Sequence, residues 1–255
     1  MLPLRSLFLT WNYMRKVVII PTYNEIENIQ AMIDKVFSLP EPFDMLVVDD
    51  GSPDGTADVV KANMAGDHAG RLFIIERQGK QGLGTAYIAG FKWALAEGYD
   101  YICEMDCDFS HDPDDLTRLY QACADGAGVA VGSRYLSGIN VVNWPVGRIV
   151  MSYSASIYVR VVTGMPVKDP TAGFVCYRAE VLRAIDLDHI EMRGYGFQIE
   201  MKYSAYKLGF KVQEVSIVFT DRKLGRSKMS SGIFGEAFWG VLKMRFRKVI
   251  PATAS

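Results

Sequence analysis

Two carboxylates, two residues apart, stand at the end of an apolar segment near the middle of the chain. Residues 101–108 read YICEMDCD, so Asp106 and Asp108 follow a run that predicts a buried strand. Side chains alternate along a strand, so these carboxylates face one way and Cys107 faces the core. Paired hard oxygen ligands suit Mg²⁺ or Mn²⁺ carrying a diphosphate. The alternative is an exposed pair of aspartates in a turn before a helix that Pro113 opens.

Polar residues also follow two earlier strand signals. An apolar run at 17–20 leads into PTYNE, and another at 45–48 leads into DDGSPD. Asp50 can accept hydrogen bonds from a base or ribose, Tyr23 can stack on a base, and Glu25 can accept hydrogen bonds from the base edge. For Glu25 the alternative is the first turn of a helix, where a carboxylate is favoured in any case.

The elements that must position these residues alternate between strand and helix. This order predicts a mostly parallel, doubly wound sheet, in which ligands bind beyond the carboxyl ends of the strands. The three polar segments should therefore converge on one crevice. Strands are predicted at 17–20, 45–48, 72–75, 101–105, 129–131, 174–177 and 212–219, and helices at 25–37, 54–64, 83–96, 113–124, 146–163, 198–207 and 233–246.

Composition excludes several classes of protein. The 255 residues suffice for one large domain, with or without an appendage, and 49% apolar and 22% charged residues are ordinary for a globular protein. A net charge of -1 argues against a nucleic-acid partner. The four cysteines are expected to be buried, reduced thiols. Three histidines are too few to predict a zinc site, and His111 is expected in a solvated turn or cap. No segment is long and apolar enough to predict a transmembrane helix.

An ordered set of motifs runs along most of the chain. PTYNE (21–25), VVDDGSPDGT (47–56), GKQGLG (79–84) and DCD (106–108) together resemble the family 2 glycosyltransferases, the inverting GT-A enzymes. Within that family, GSRY (132–135), NWPxxR (143–148), DPTAGF (169–174), GYxFQIE (194–200) and DRxxGxSKM (221–229) resemble the polyprenol-phosphate mannosyltransferases. The similarity extends over residues 15–246.

The resemblance implies an α/β fold, a GT-A Rossmann-like and mostly parallel sheet flanked by helices, with a C-terminal amphipathic helix. It divides the chain into an N-terminal extension (1–14), a glycosyltransferase domain (15–230) and a C-terminal amphipathic helix and tail (231–255).

The resemblance also assigns roles to individual residues. It implies metal binding by Asp106 and Asp108, and an acceptor phosphate held by Arg134, Arg148 and Ser152. Asp108, Arg134, Arg148 and Arg222 are the implied catalytic residues. The alternative for the basic residues is ordinary surface charge. Nucleotide-sugar binding is implied for Pro21, Tyr23, Glu25, Val48, Asp50, Lys80, Asp106, Cys107, Arg222 and Lys228.

The implied reaction is mannosyl transfer from GDP-mannose to a polyprenyl phosphate with inversion, using Mg²⁺ or Mn²⁺. A same-fold transferase using UDP-glucose or a UDP-N-acetylhexosamine is the first alternative, and a non-catalytic nucleotide-binding protein is the second. No nucleic acid is expected. The expected location is the cytosolic face of a membrane, with or without a membrane-embedded partner protein.

The C-terminal helix predicts how the chain meets its lipid substrate. One helical face carries apolar residues and a basic cluster follows, a pattern typical of an interfacial helix on anionic lipid. The alternative is that this face packs on the protein itself. The apolar residues are Ile233, Phe234, Ala237, Phe238, Val241 and Leu242, and the basic ones are Lys243, Arg245, Arg247 and Lys248.

Overall fold

A seven-stranded sheet forms the centre of the structure, a computed structural model that describes residues 14–192, 194–221, 233–247, 249 and 251–252. For residue 195 and residues 233–237 it describes the backbone alone. The strands are β1 (Lys16–Thr22), β2 (Asp44–Asp49), β3 (Leu72–Glu76), β4 (Tyr101–Glu104), β5 (Val129–Ser133), β6 (Val141–Val142), β7 (Val175–Arg178), β8 (Val212–Ser216) and β9 (Phe219–Thr220).

Helices cover both faces of this sheet. They are α1 (Ile29–Phe37), α2 (Thr56–Ala65), α3 (Leu83–Ala96), α4 (Asp115–Ala124), α5 (Val146–Thr163), α6 (Ala179–Ala184), α7 (Tyr195–Lys207) and α8 (Ile233–Phe246). The order of strands is β3-β2-β1-β4-β7-β5-β8. Only β7 in this sheet runs antiparallel to its neighbours, β4 and β5, so the predicted mostly parallel architecture is confirmed.

The apolar runs of the sequence are explained by burial on two sides. In β1, Val18 and Ile20 pack into the core under α1 and α4, while Val17 and Ile19 pack into the core under α3. A strand covered on both faces reads as a continuous apolar run. A third, smaller core joins α5, α7 and α8 through residues such as Val159, Tyr203, Val241 and Met244.

The predicted strand at 212–219 is divided in two. Its first part is β8, which pairs with β5, and its second part is β9, which pairs with β6 in a separate two-stranded sheet. Between them the backbone N–H of Ile217 donates to the carbonyl of Ser133, and within β9 the backbone N–H of Thr220 donates to the carbonyl of Ser110. The chain therefore leaves the main sheet and crosses toward the segment that carries Asp106 and Asp108.

Candidate active site

The three polar segments predicted to converge do lie at one edge of the sheet. β1 lies between β2 and β4, and the register pairs Thr22 with Asp49. The backbone N–H of Asp50 donates to the carbonyl of Thr22 at 3.0 Å, and the backbone N–H of Met105 donates to that of Ile19 at 3.2 Å. We call residues 21–23, 49–50 and 106–108 the carboxylate edge. Main-chain hydrogen bonds of the sheet set its geometry.

The adjacent aspartates at the end of β2 have different partners. Asp49 is buried and accepts hydrogen bonds from the Thr22 hydroxyl (2.7 Å) and from the Ser52 hydroxyl (2.6 Å) and backbone N–H (2.8 Å). It therefore stabilises the turn. Asp50, the predicted nucleotide ligand, accepts a hydrogen bond from Arg77 Nε at 2.7 Å and from the Gln81 N–H at 3.2 Å.

Sequence reasoning missed Arg77, and the available signal was a basic residue directly after a strand. The loop that carries it passes close to the turn after Asp50. At Gly51, where φ is +70°, an added Cβ would lie 3.1 Å from the Gly79 nitrogen and 3.2 Å from the Arg77 carbonyl oxygen. Glycine is required there for both the left-handed backbone and the close approach.

The remaining predicted nucleotide residues lie around the same edge. The Lys80 ammonium lies 5.4 Å from the centre of the Tyr23 ring, so the glycine-rich loop contacts the segment after β1. Val48 is buried within β2. Glu25 accepts a hydrogen bond from the Asn28 side chain at 2.9 Å, and its backbone N–H donates to Thr56. This placement just before α1 also agrees with the helix-start alternative for Glu25.

The segment after β4 turns sharply at the predicted metal ligands. Cys107 is buried in the core, as its place in the alternation predicted. Asp108 is 8% exposed and accepts a hydrogen bond from the Ser110 N–H at 3.0 Å. Phe109 has a φ of +57°, a left-handed conformation that is rare for a bulky residue and is concentrated at functional sites. Burial, and then the charge of Asp106, raise the pKa of the nearby Tyr87.

The residues at this edge fit a divalent metal bound together with a substrate. In the part of the chain that the structure describes, no group of three or more His, Cys, Asp and Glu side chains could hold an ion by itself. Mg²⁺ is commonly held by one or two carboxylates and completes its octahedron with water and substrate phosphates. Asp106 and Asp108 provide such a carboxylate pair.

The predicted acceptor residue Arg134 lies directly after β5 and is buried. Its Nε and Nη2 donate to the two carboxylate oxygens of Asp169 at 2.7 and 2.6 Å, and Nη2 also donates to Thr171 at 2.8 Å. Burial alone would raise the pKa of Asp169, but the charge and hydrogen bonds of Arg134 outweigh burial and hold it below its usual range. Asp169 is thus the fixed partner of Arg134.

Arg148 and Arg134 both lie against the ring of Trp144. Its guanidinium carbon lies 4.0 Å from the centre of the Trp144 ring, and that of Arg134 lies 5.5 Å from the same ring. Arg148 also donates to Asp221 at 3.0 Å, and the Tyr135 hydroxyl donates to Ser152 at 2.8 Å. The structure therefore brings together the three predicted acceptor residues. We call Arg134, Arg148 and Ser152, with the rings of Tyr135 and Trp144, the arginine cluster.

Two predicted site residues cannot be placed. Arg222 and Lys228 lie outside the described residues, so their implied roles at the donor diphosphate stay predictions.

The prediction that His111 occupies a solvated turn or cap is wrong. Its ring is buried, with the Phe174 ring 5.0 Å away and the Phe219 ring 5.2 Å away, centre to centre. Burial lowers the pKa of His111 to about 4, against an opposing effect of Asp108. Phe174, just before β7, and Phe219, in β9, together cover this ring. The neutral imidazole lies between the carboxylate edge and the arginine cluster.

Comparison with known proteins shows the family of the chain. A family model described as Glycosyl transferase family 2 matches residues 17–186. The chain belongs to this family. The family resemblance found in the sequence motifs is therefore confirmed.

Three similar proteins come from three different organisms. The chain is 47% identical to undecaprenyl-phosphate mannosyltransferase of Micrococcus luteus, over 90% of this chain and 93% of the relative. It is 46% identical to polyprenol monophosphomannose synthase of Mycolicibacterium smegmatis, over 91% and 88% of the two chains. It is 34% identical to dolichol-phosphate mannosyltransferase of Pyrococcus furiosus, over 85% of this chain and 59% of that one.

A solved structure shares the fold. Glucosyl-3-phosphoglycerate synthase of Mycobacterium tuberculosis, in complex with Mn²⁺, UDP and phosphoglyceric acid, aligns with a TM-score of 0.68 and 17% identity. The alignment covers 94% of this chain and 81% of that one. It supports the GT-A-like architecture of a parallel sheet flanked by helices.

Proposed function

We propose that this family 2 glycosyltransferase transfers mannose from GDP-mannose to a polyprenyl phosphate with inversion, giving a polyprenyl β-mannosyl phosphate. The observation that carries this proposal is the arginine cluster beside the carboxylate edge. The Phe219 ring joins the two, since its centre lies 5.7 Å from the Arg134 guanidinium carbon and 5.2 Å from the ring of His111, three residues after Asp108. A donor diphosphate at one side and an acceptor phosphate at the other would thus be neighbours.

The chemistry needs little from the protein beyond placement and charge. A lipid phosphate is already an anion at neutral pH, so no strong base is needed to make it a nucleophile. Arg148, which is partly exposed, and the buried Arg134 would orient the acceptor oxygen toward the anomeric carbon. Direct displacement inverts that centre, so an α-linked donor gives a β-linked product.

Asp106 and Asp108 would hold the Mg²⁺ or Mn²⁺ through carboxylate oxygens. Once bound, the metal supplies charge stabilisation of the departing nucleoside diphosphate. Lys80 would bind the phosphates and Tyr23 would stack on the base, and the 5.4 Å between the Lys80 ammonium and the Tyr23 ring centre supports a shared role at the donor. We retain Arg222 and Lys228 as further ligands of the donor diphosphate, on the basis of the sequence motif alone.

The names of the relatives favour mannose and a polyprenyl phosphate. At 46–47% identity over about nine-tenths of this chain, two relatives are named for mannosyl transfer to such acceptors. UDP-bound structural neighbours share only 16–18% of their sequence, so they support the fold rather than a uridine donor.

The test is a transfer assay with purified protein. We expect radiolabel from GDP-mannose to enter the organic phase when polyprenyl phosphate and Mg²⁺ or Mn²⁺ are present, and NMR of the product to show a β linkage. UDP-glucose and UDP-N-acetylglucosamine serve as donor controls. Transfer from a UDP-sugar alone would favour the first alternative, and metal-dependent GDP binding without any turnover would favour the non-catalytic alternative.

We further propose that the protein lies on a membrane surface through α5 and α8. None of the helices in the described part of the chain is long and apolar enough to cross a bilayer. The prediction for α8 needs correction at Val241, which is buried against the protein together with Met244. Phe238, Trp239 and Phe246 are exposed, and the Phe238 ring stacks on Tyr158 of α5 at 4.6 Å.

The two helices therefore present one apolar surface. Exposed residues of this surface are Val146, Val150, Met151, Tyr153, Ile157 and Val161 on α5 and Phe238, Trp239 and Phe246 on α8, with Lys243 and Arg245 exposed beside them. Ile233, Phe234 and Ala237, predicted to share this face, lie among the residues whose side chains are not described, and Lys248 of the predicted basic cluster lies outside the described residues.

Changing Trp239 and Phe246 to Glu should weaken binding to vesicles that contain anionic lipid by more than tenfold. Burial of each aromatic ring contributes about 1.5–3 kcal/mol. Removing Lys243 and Arg245 should reduce the salt dependence of binding, since each basic residue contributes about 1 kcal/mol near an anionic surface. Sedimentation with vesicles measures both effects. Parent-like binding by a folded Trp239→Glu, Phe246→Glu variant would exclude α8 as the contact.

A further inference from the structure

Two ionisable side chains lie in the interior between the carboxylate edge and the arginine cluster. Glu104 in β4 and Lys202 in α7 both have a relative exposure of 0%. Burial of an ionised group is costly unless it is paired and hydrogen-bonded. Burial raises the pKa of Glu104 and lowers that of Lys202, while the attraction between the two charges opposes both changes.

The Lys202 ammonium has an acceptor for each of its three donors. It donates to the carbonyl of Ala172 at 2.6 Å, to the carbonyl of Gln198 at 3.0 Å and to the Gln198 side-chain oxygen at 3.2 Å. The Gln198 side-chain nitrogen in turn donates to a Glu104 carboxylate oxygen. A continuous chain of hydrogen bonds thus runs from Ala172 through α7 to β4.

One end of this hydrogen-bond chain leads to the carboxylate edge, and the other leads to the arginine cluster. Glu104 precedes Asp106 by two residues at the end of β4. At the other end, the backbone N–H of Ala172 donates to the carbonyl of Asp169, the residue whose carboxylate holds Arg134. The charge of Lys202 also acts on Asp169 and contributes to its lowered pKa.

The β4 end and the Ala172 end of this hydrogen-bond chain differ in the other contacts that fix them. The β4 end is fixed by the sheet, where Glu104 pairs with Val175 and the Met105 N–H donates to the Ile19 carbonyl. The turn at 169–172 lies between α5 and β7, outside the strands. Glu214 accepts hydrogen bonds from the N–H groups of Lys168 and Asp169 at 2.8 and 2.9 Å, which fixes the start of this turn, and Lys202 holds its end at Ala172.

We propose that Lys202 is a positioning residue that fixes the Asp169–Arg134 pair relative to the metal-binding aspartates, so that acceptor phosphate and donor sugar meet in line. This inference rests on the proposed mannosyl transfer. A misplacement of about 1 Å can lower a rate by about a hundredfold. Because Glu214 still holds the start of the turn, loss of Lys202 displaces Arg134 without removing it from Asp169.

The test compares two buried lysines. Lys16, at the start of β1 and therefore at the opposite end of the sheet from the carboxylate edge, is also buried and pairs with Glu41. Lys202→Met and Lys16→Met each remove one buried ammonium. A third variant carries both Glu104→Gln and Lys202→Met. It removes the buried carboxyl group together with the buried ammonium, so that no buried carboxylate is left without its counter-charge. Each is measured for unfolding midpoint in urea, for GDP and Mn²⁺ affinity by calorimetry, and for kcat and acceptor KM of transfer.

We expect Lys202→Met to reduce kcat/KM for the acceptor at least tenfold while GDP and Mn²⁺ affinities change less than threefold. Lys16→Met should lower the unfolding midpoint and leave both kinetic constants of the folded protein unchanged. The double variant should recover stability but not transfer, because it still has no donor to the Ala172 carbonyl.

Each other outcome overturns the inference. Recovery of transfer together with stability in the double variant would mean that Lys202 only balances the charge of Glu104. Failure of both Lys202 variants to fold, with Lys16→Met folded, would make Lys202 a purely structural residue. If the parent protein itself transfers no sugar under any donor and metal condition, the proposed function fails, and the positioning role fails with it.

Discussion

The carboxylate edge is built on the backbone of the sheet, whereas the arginine cluster is built on contacts between side chains. At the edge, the aspartates follow β2 and β4, and main-chain hydrogen bonds to β1 set their positions. In the cluster, Arg134 is fixed by Asp169, and Arg148 by Asp221 and the Trp144 ring. Losing one side chain should therefore disturb the edge locally, but should disturb the cluster through its partners.

The largest effect is expected from Asp108→Asn. It should reduce transfer by about a thousandfold, since metal stabilisation of the leaving group is worth several kcal/mol. The free energy of unfolding should stay nearly unchanged, because backbone pairing positions the segment. Asp114→Asn, at an exposed aspartate paired with Lys35 on α1, is the control and should retain activity. Near-normal turnover by a folded Asp108→Asn protein at ordinary metal concentration would remove Asp108 from the metal site.

Asp169→Asn should affect both stability and transfer, in contrast to Asp108→Asn. It leaves the buried Arg134 without its counter-charge, and breaking a buried pair in this way costs about 3–5 kcal/mol. Urea unfolding measures the loss. Glu76→Gln, which breaks the exposed pair with Lys61, should cost less than about 1 kcal/mol. Equal losses for the two variants would show that the Arg134–Asp169 pair does not hold the arginine cluster together.

The buried His111, which lies between the carboxylate edge and the arginine cluster, should make the free energy of unfolding depend on pH. Its folded pKa of about 4 lies below the ordinary 6.5, so between these values the unfolded chain binds a proton that the folded protein does not. The free energy of unfolding is therefore highest, as far as His111 is concerned, above pH 6.5. It falls by about 3 kcal/mol in total as the pH drops from 6.5 toward 4.

The measurement compares unfolding midpoints at pH 7 and pH 5 for the parent and for His111→Leu. Asp108, Arg134 and Asp169 are the charged groups that act on His111, and all remain in the variant. We expect a smaller pH dependence for His111→Leu than for the parent. The same dependence in both proteins would show that carboxylates elsewhere account for it.

Arg148→Ala should have the smallest effect and the most selective one. We expect the acceptor KM to rise about tenfold, a change worth about 1.4 kcal/mol, with GDP-mannose affinity unchanged. The side chain is about one-third exposed, so its pair with Asp221 contributes little to stability. Arg118→Ala, at an exposed arginine of α4, is the control. Loss of donor binding with an unchanged acceptor KM would move Arg148 from the acceptor to the donor phosphate.

The carboxylate edge was largely predictable from sequence, and the arginine cluster was predictable only by family resemblance. Apolar runs followed by PTYNE, DDGSPD and DCD are local signals, and the convergence of strand ends follows from a parallel sheet. Nothing local indicates that Arg134 meets Asp169, 35 residues away, or that Arg148 meets Asp221, 73 residues away. Arg77 was missed for the same reason, since its partner Asp50, 27 residues away, follows a different strand.

The sequence by itself determined the order of elements, the alternation that buries Cys107 between two carboxylates, and the family of the chain. The tertiary structure alone decided the antiparallel direction of β7, the burial of His111 and the hydrogen bonds that join Gln198 of α7 to both Glu104 and Lys202. The physical reason is the range of the forces involved. Side-chain alternation and turn preferences act between neighbouring residues, whereas a buried charge or imidazole depends on which distant segments exclude water from it.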